Sequence, residues 1–168
     1  MTQIDIWPGL MAELDTLGRL LLAASLGAIL GAEREMRQRA AGLRTNTLIA
    51  LGSAAFTLIS IHLAAQDGGD PTRIPSQVVT GIGFLGGGAI LRGQGDIRGL
   101  TTAATVWVNA AIGMAAGAGF YALAITSTLV TLFVLTVFLR IEDYLNRRAQ
   151  TSEETVPIIK SESDRNKP

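Results

Sequence analysis

From Gly99 to Leu139 the chain reads GLTTAATVWVNAAIGMAAGAGFYALAITSTLVTLFVLTVFL, without one Asp, Glu, Lys or Arg. A helix that crosses a bilayer needs about 20 predominantly apolar residues at 1.5 Å rise each. This run is long enough for two such helices, with Gly117-Ala118-Gly119 as the turn between them. Working outward, the same four charged residue types are absent between Arg44 and Asp67 and between Arg73 and Arg92. A shorter stretch, Leu20–Ala32, lies between Arg19 and Glu33; it reaches span length from Leu14 if Arg19 snorkels outward and Glu33 sits at the boundary. The pattern predicts an all-α polytopic membrane protein, a compact bundle of about five transmembrane helices at Leu14–Ala32, Thr45–Ala65, Ser76–Leu91, Leu100–Gly117 and Phe120–Leu139.

Composition excludes the competing classes. Of 168 residues 48% are hydrophobic and 17% charged, against a usual charged fraction of about 25%, and mean hydropathy is +0.36. A disordered chain needs the opposite balance. Fourteen Lys and Arg offset fourteen Asp and Glu, so no global basic field points to nucleic acid. Without Cys there is no disulfide framework.

The charges that remain sit in short loops. Arg34, Arg37, Arg39 and Arg44 follow the first span, Arg92 and Arg98 the third, and Arg140, Arg147 and Arg148 the fifth. The opposite side has Arg73 alone, with Arg19 just inside span one. By the positive-inside rule the N-terminal segment, residues 1–13, is expected outside, the transmembrane domain at 14–140, and a disordered tail at 141–168 in the cytoplasm. The first 13 residues lack a basic n-region, so span one is expected to stay in the mature protein.

Small-xxx-small pairs, which let membrane helices approach closely, occur at Gly27/Gly31, Gly83/Gly87 and Gly113/Gly117. They predict a tight bundle of spans one, three and four, with the Leu- and Val-rich span five facing lipid. Span three, Gly81-Ile82-Gly83-Phe84-Leu85-Gly86-Gly87-Gly88-Ala89-Ile90, is a poor recipe for a lone helix, since each Gly costs nearly 1 kcal/mol relative to Ala. Such a segment either hugs its neighbours or breaks where it lines a cavity. Both readings stay open, and Gly81, Gly83, Gly86 and Gly87 serve either one.

Three polar stretches remain. In Gly31-Ala32-Glu33-Arg34-Glu35 and Gly42-Leu43-Arg44-Thr45-Asn46 the charges begin at the end of one span and stop at the start of the next. Glu33 with Arg37 and Glu35 with Arg39 make i,i+4 pairs in the favourable order. Either this is a topogenic basic loop, or Glu33, Arg34 and Arg44 project into the bundle mouth and bind there. In the third stretch, Arg98-Gly99-Leu100-Thr101-Thr102-Ala103-Ala104, Thr101 or Thr102 is placed to cap a helix. Asn109 falls mid-span, as an interhelical hydrogen-bond donor or as a polar contact along a pathway. Lone His62 reads as interfacial, and Asp96 as a turn residue within reach of Arg34 or Arg44.

Taken in order and spacing, these motifs resemble the MgtC/SapB family of bacterial membrane proteins over about Leu17 to Arg140. The resemblance implies an inner-membrane protein linked to growth at low Mg²⁺, survival within host phagocytes for pathogen members, and restraint of the membrane ATP synthase by direct contact. Virulence-associated members look like this membrane domain with a soluble C-terminal domain of ACT-like type; here only a short charged tail follows Arg140. Matched positions carry the implied partner or solute site to Glu33, Arg34, Arg44, Thr45, Thr101, Thr102 and Asn109. The reading that follows is a non-catalytic regulator in the lipid bilayer, acting through membrane partners and as a homo-oligomer, with an ion or small-solute carrier as the alternative. No nucleophile–base pair or metal-ligand cluster is evident, so an enzyme, a resident metal and a cofactor are not expected.

Overall fold

A computed structural model describes residues 6–92 and 97–154. They form α1 (Ile6–Met36), α2 (Leu43–Asp67), α3 (Arg73–Gly88), the two-residue strands β1 (Leu91–Arg92) and β2 (Ile97–Arg98), α4 (Leu100–Gly117) and α5 (Tyr121–Phe133). A π-helical turn at Val134–Phe138 and α6 (Leu139–Glu154) follow. The strands pair antiparallel, Leu91 with Arg98 and Arg92 with Ile97. The described residues fall into two compact units, divided between Leu132 and Phe133.

Four helices are long and apolar enough to cross a membrane: Gly9–Met36, Leu43–Gln66, Leu100–Gly117 and Tyr121–Glu142. The chain is a multi-pass membrane protein. At 16 residues α3 is shorter, about 24 Å at 1.5 Å per residue against a hydrocarbon core of ~30 Å. Its part in the topology follows from the neighbours on either side. Asn46 meets Asn109 at a sequence offset of 63, and the same offset relates Ala50 to Gly113 and Ala54 to Gly117. A constant offset makes α2 and α4 parallel, so the chain must travel back between them. Among the described residues only α3 is there to do it.

Helix α1 runs antiparallel to both. Its late residue Arg34 reaches Thr102 at the start of α4, and its early residue Arg19 reaches Gly117 at the end. The tight bundle is therefore α1, α2 and α4, which corrects the expected grouping of spans one, three and four. A Cβ on Gly27 would stand 2.7 Å from both the Ala50 side chain and the Asn46 carbonyl oxygen, and one on Gly117 would stand 2.6 Å from the Ala54 carbonyl oxygen. A Cβ on Gly31 would stand as close to Leu43, at 2.7 Å, and one on Gly113 closer still to Ala50. Two glycine faces thus clasp the alanines of α2. On α3 a Cβ at Gly81, Gly83 or Gly87 would meet nothing within 4 Å, and only Gly86 touches a neighbour, Ala103. Its glycines are not the close-packing pair that their spacing suggests.

The first unit's core is built on Ala23, Leu26, Leu30, Ala54, Ile112 and Ala116. Helix α3 is continuous to Gly88, which answers the open question of a broken helix over that stretch. Helix α2 stops at Gly68, whose φ of +66° is the left-handed C-terminal cap that favours glycine. Helix α5 exposes Leu123, Ile125, Leu129 and Val130, as expected of a lipid-facing span. Within it the hydroxyls of Thr128 and Thr131 donate to the carbonyls of Ala124 and Ser127, so both are satisfied inside their own helix. In the second unit, residues 139–154 are helical, which corrects the expectation of disorder from residue 141. Residues 155–168 of that expected tail, and the Asp96 turn, lie outside the described residues.

Candidate functional site

The last turn of α1 places Glu33 and Arg34 next to each other, and both are buried, at 5% and 4% exposure. Charges in such a place must be paired, since an isolated buried ion is too costly to keep. The Glu33 carboxylate accepts from Arg37 Nε, the expected i,i+4 pair, and lies 3.8 Å from Arg34 Nη1. Arg34 Nη2 donates to Thr102 Oγ1 at 3.5 Å and so ties the end of α1 to the start of α4. A cation here also complements the carbonyl end of α1. Glu33 Oε2 and Arg34 Nε are left without a hydrogen bond among the described residues.

The second expected pair is absent among the described residues, because Glu35 has other work. Its Oε2 accepts from the Leu43 N–H at 2.8 Å. The N-cap of α2 is Gly42, which has no side chain to satisfy a free N–H of the first turn. Glu35 supplies that acceptor from the preceding helix, and a Cβ on Gly42 would collide with its carboxylate. The loop between them is tight enough to hold Gln38 and Ala41 at positive φ.

One turn deeper sits an amide pair, Asn46 and Asn109, both fully buried. Asn109 Nδ2 donates to the Asn46 carbonyl oxygen at 2.7 Å and to Asn46 Oδ1 at 3.2 Å. Asn46 Nδ2 in turn donates to the carbonyls of Ala41 and Gly42. The interhelical reading of Asn109 holds, though its Oδ1 is unpaired among the described residues. The bare face of Gly27 leaves room for the Asn46 carbonyl that Asn109 addresses.

Of the residues singled out from sequence, the fold joins Glu33, Arg34 and Thr102, with Asn109 beneath them. Arg44, Thr45 and Thr101 are exposed and apart from the buried charges; the idea that Arg44 projects into the bundle mouth with Glu33 and Arg34 is corrected here. Thr101 contributes its carbonyl, which accepts from Thr105 Oγ1. Sequence reasoning missed Asn46, whose signal was a second amide inside a span. It also missed the cluster at the far end of the bundle. There Arg19 does not simply snorkel: it pairs with Asp15 at 2.7 Å and donates to the Gly117 carbonyl at 3.0 Å. The Tyr121 hydroxyl donates to Asp15 at 3.1 Å, and its ring lies 6.0 Å from the Arg19 guanidinium. His62 is exposed and, among the described residues, bonds only to Gln66.

Comparison with known proteins adds sequence relatives. Residues 20–144 match the MgtC family. The chain is 51% identical over 126 residues to the "Putative magnesium transporter YhiD" of Escherichia coli K12, covering 71% of this chain and 59% of that protein. It is 50% identical over 113 residues to "Protein MgtC" of Salmonella typhimurium LT2, covering 67% and 48%. An "Uncharacterized protein slr0014" of Synechocystis is 44% identical over 140 residues, covering 83% and 59%. The chain thus spans about half to three-fifths of the length of these relatives, and none of their names describes an enzyme. No solved structure matches it.

Proposed function

The chain belongs to the MgtC family, and on that premise we propose that it is a non-catalytic membrane regulator, acting by contact with other membrane proteins during adaptation to low Mg²⁺. The observation that carries this reading is the state of Glu33. It is the one buried carboxylate among the described residues, and it already bears Arg37 and Arg34. Mg²⁺ binds through one or two carboxylates and keeps its remaining waters in octahedral array. A dication at Glu33 would instead face two guanidinium groups. The same residues do mechanical work, since Arg34 and Asn109 lock α1, α2 and α4 into one unit.

The arginine-rich loops support an N-terminus outside and a C-terminus in the cytoplasm of the bacterial inner membrane. The ATP synthase is the partner to test first, by co-purification after cross-linking in membranes, and self-association is read in the same experiment. A carrier is the second reading. It is favoured by two buried oxygens without hydrogen-bond partners, Glu33 Oε2 and Asn109 Oδ1, and by the name of the E. coli relative.

Flux into proteoliposomes separates the two, with Mg²⁺, K⁺ and H⁺ as probes and Glu33→Gln and Asn109→Leu as variants. The regulator reading expects no flux above empty vesicles from folded, inserted protein, together with altered growth of a deletion strain at low Mg²⁺. Saturable flux that either variant abolishes overturns it in favour of the carrier.

A further inference from the structure

Beyond that function, helices α2 and α3 leave between them an apolar groove of about 910 Å³, lined by Thr45, Leu48, Gly52 and Ser53 on one side and by Gly81 and Phe84 among others on the second. The walls do not close on each other, for a Cβ added at Gly52, Gly81 or Gly88 would meet nothing within 4 Å. The hydroxyls of Thr45 and Ser53 have no hydrogen-bond partner among the described residues, and Ser53 is only 4% exposed. We propose that this groove holds one acyl chain of an anionic phospholipid, whose phosphate is received by Arg44.

Length selects a lipid chain over a helix. The α2 wall runs from Thr45 to Phe56 and the α3 wall from Ile74 to Gly88, roughly 16–21 Å at 1.5 Å per residue. That exceeds one leaflet, about 15 Å, and falls well short of the ~30 Å that a membrane-crossing helix would need alongside it. Charge selects the headgroup. Arg44 lies one turn before Leu48 on the same face of α2, is exposed, and makes no ion pair among the described residues. The loop it borders carries Arg34, Arg37, Arg39 and Arg44 against only Glu33 and Glu35. At the groove's far end Arg73 shares the connection between α2 and α3 with Asp67 and Asp70, so the excess of positive charge is at the Arg44 end. Basic sites between membrane helices attract anionic headgroups in this way.

The full chain in neutral detergent is offered equal amounts of phosphatidylglycerol and phosphatidylcholine with identical acyl chains, and retained adducts are read by native mass spectrometry. Wild type is expected to keep phosphatidylglycerol several-fold over phosphatidylcholine. Arg44→Gln should bring the two to parity, Arg73→Gln should leave the preference intact, and Gly52→Leu, which fills the groove, should cut both adducts several-fold. If Gly52→Leu loses cooperative melting, Gly81→Leu blocks the groove from the opposite wall. Equal retention of both lipids by wild type, or unchanged adducts on a folded groove-filled variant, overturns the proposal. So does a dimer that Gly52→Leu dissolves, since the groove would then belong to a second copy.

Discussion

The residues that decide most here are polar ones in an apolar setting, and their partners set what each is worth. Glu33 is held by two arginines, yet Arg34 is buried and Arg37 is partly exposed. Removing one member of a buried pair costs about 3–5 kcal/mol because it leaves an uncompensated charge. Without Glu33 the buried Arg34 has no carboxylate among the described residues, whereas without Arg37 the carboxylate still faces Arg34. Glu33→Gln is therefore expected to lower thermal stability in detergent far more than Arg37→Gln, and equal losses would contradict this account of the pair. Asn46 and Asn109 are each other's partners, so their alanine variants should be non-additive. A double-mutant cycle by reversible unfolding in mixed micelles should give a coupling of about 0.6–2 kcal/mol. Outside the membrane, the Thr72 hydroxyl and N–H both donate to Asp70. These bonds hold its carboxyl below the usual carboxylate range. The sign follows: this contribution is complete above the unfolded value of about 3.9 and fades only as pH falls through the lower folded one. Titration of the Asp70 carboxyl by NMR should show that depressed midpoint, and Thr72→Val should raise it.

For the elements, contact partners decide what a glycine is for. Gly113 and Gly117 face the backbone of α2, while Gly83 faces open space. Gly117→Val forces α4 away from α2 and should destabilise by about 1–3 kcal/mol or more, the usual cost of overpacking. Gly83→Ala adds a better helix former where nothing obstructs it and should be neutral or stabilising by up to ~1 kcal/mol. Melting temperatures of the two variants test this directly, and a Gly83→Ala loss as large as that of Gly117→Val would mean that α3 packs tightly after all. The repeated small-xxx-small spacing in the sequence marks both pairs alike. It states that a close approach is permitted; only the neighbouring helix determines whether one occurs.

Across the whole molecule, parallel α2 and α4 require a return pass, which makes α3 a crossing despite its length. Native Cys is absent, so single cysteines report topology without background. A cysteine at Gly69, between α2 and α3, is expected to react with a membrane-impermeant maleimide in intact spheroplasts. One at Gln38, between α1 and α2, should react only after permeabilisation. The reverse pattern would invert the orientation drawn from the arginines, and labelling of both from outside would remove α2 as a span.

Sequence alone determined the medium, because charge-free runs of span length have no other stable home and charges gather where water is. That the short α3 makes the return pass rested on the parallel course of α2 and α4. Sequence also marked Glu33, Arg34, Thr102 and Asn109, since polar groups amid apolar runs must find partners. What it could not rank was partnership. Glu35 with Arg39 has the same spacing as Glu33 with Arg37, but the first carboxylate caps α2 instead. Arg44 stands two residues from buried Asn46 and is itself exposed, a difference of helix face that depends on where α1 and α4 lie. The grouping of α1, α2 and α4, the Asn46–Asn109 lock and the open α2–α3 groove were decided by tertiary structure alone. Between membrane helices there is no hydrophobic drive to choose neighbours; fit of one surface against another does the choosing, and fit is a property of three dimensions.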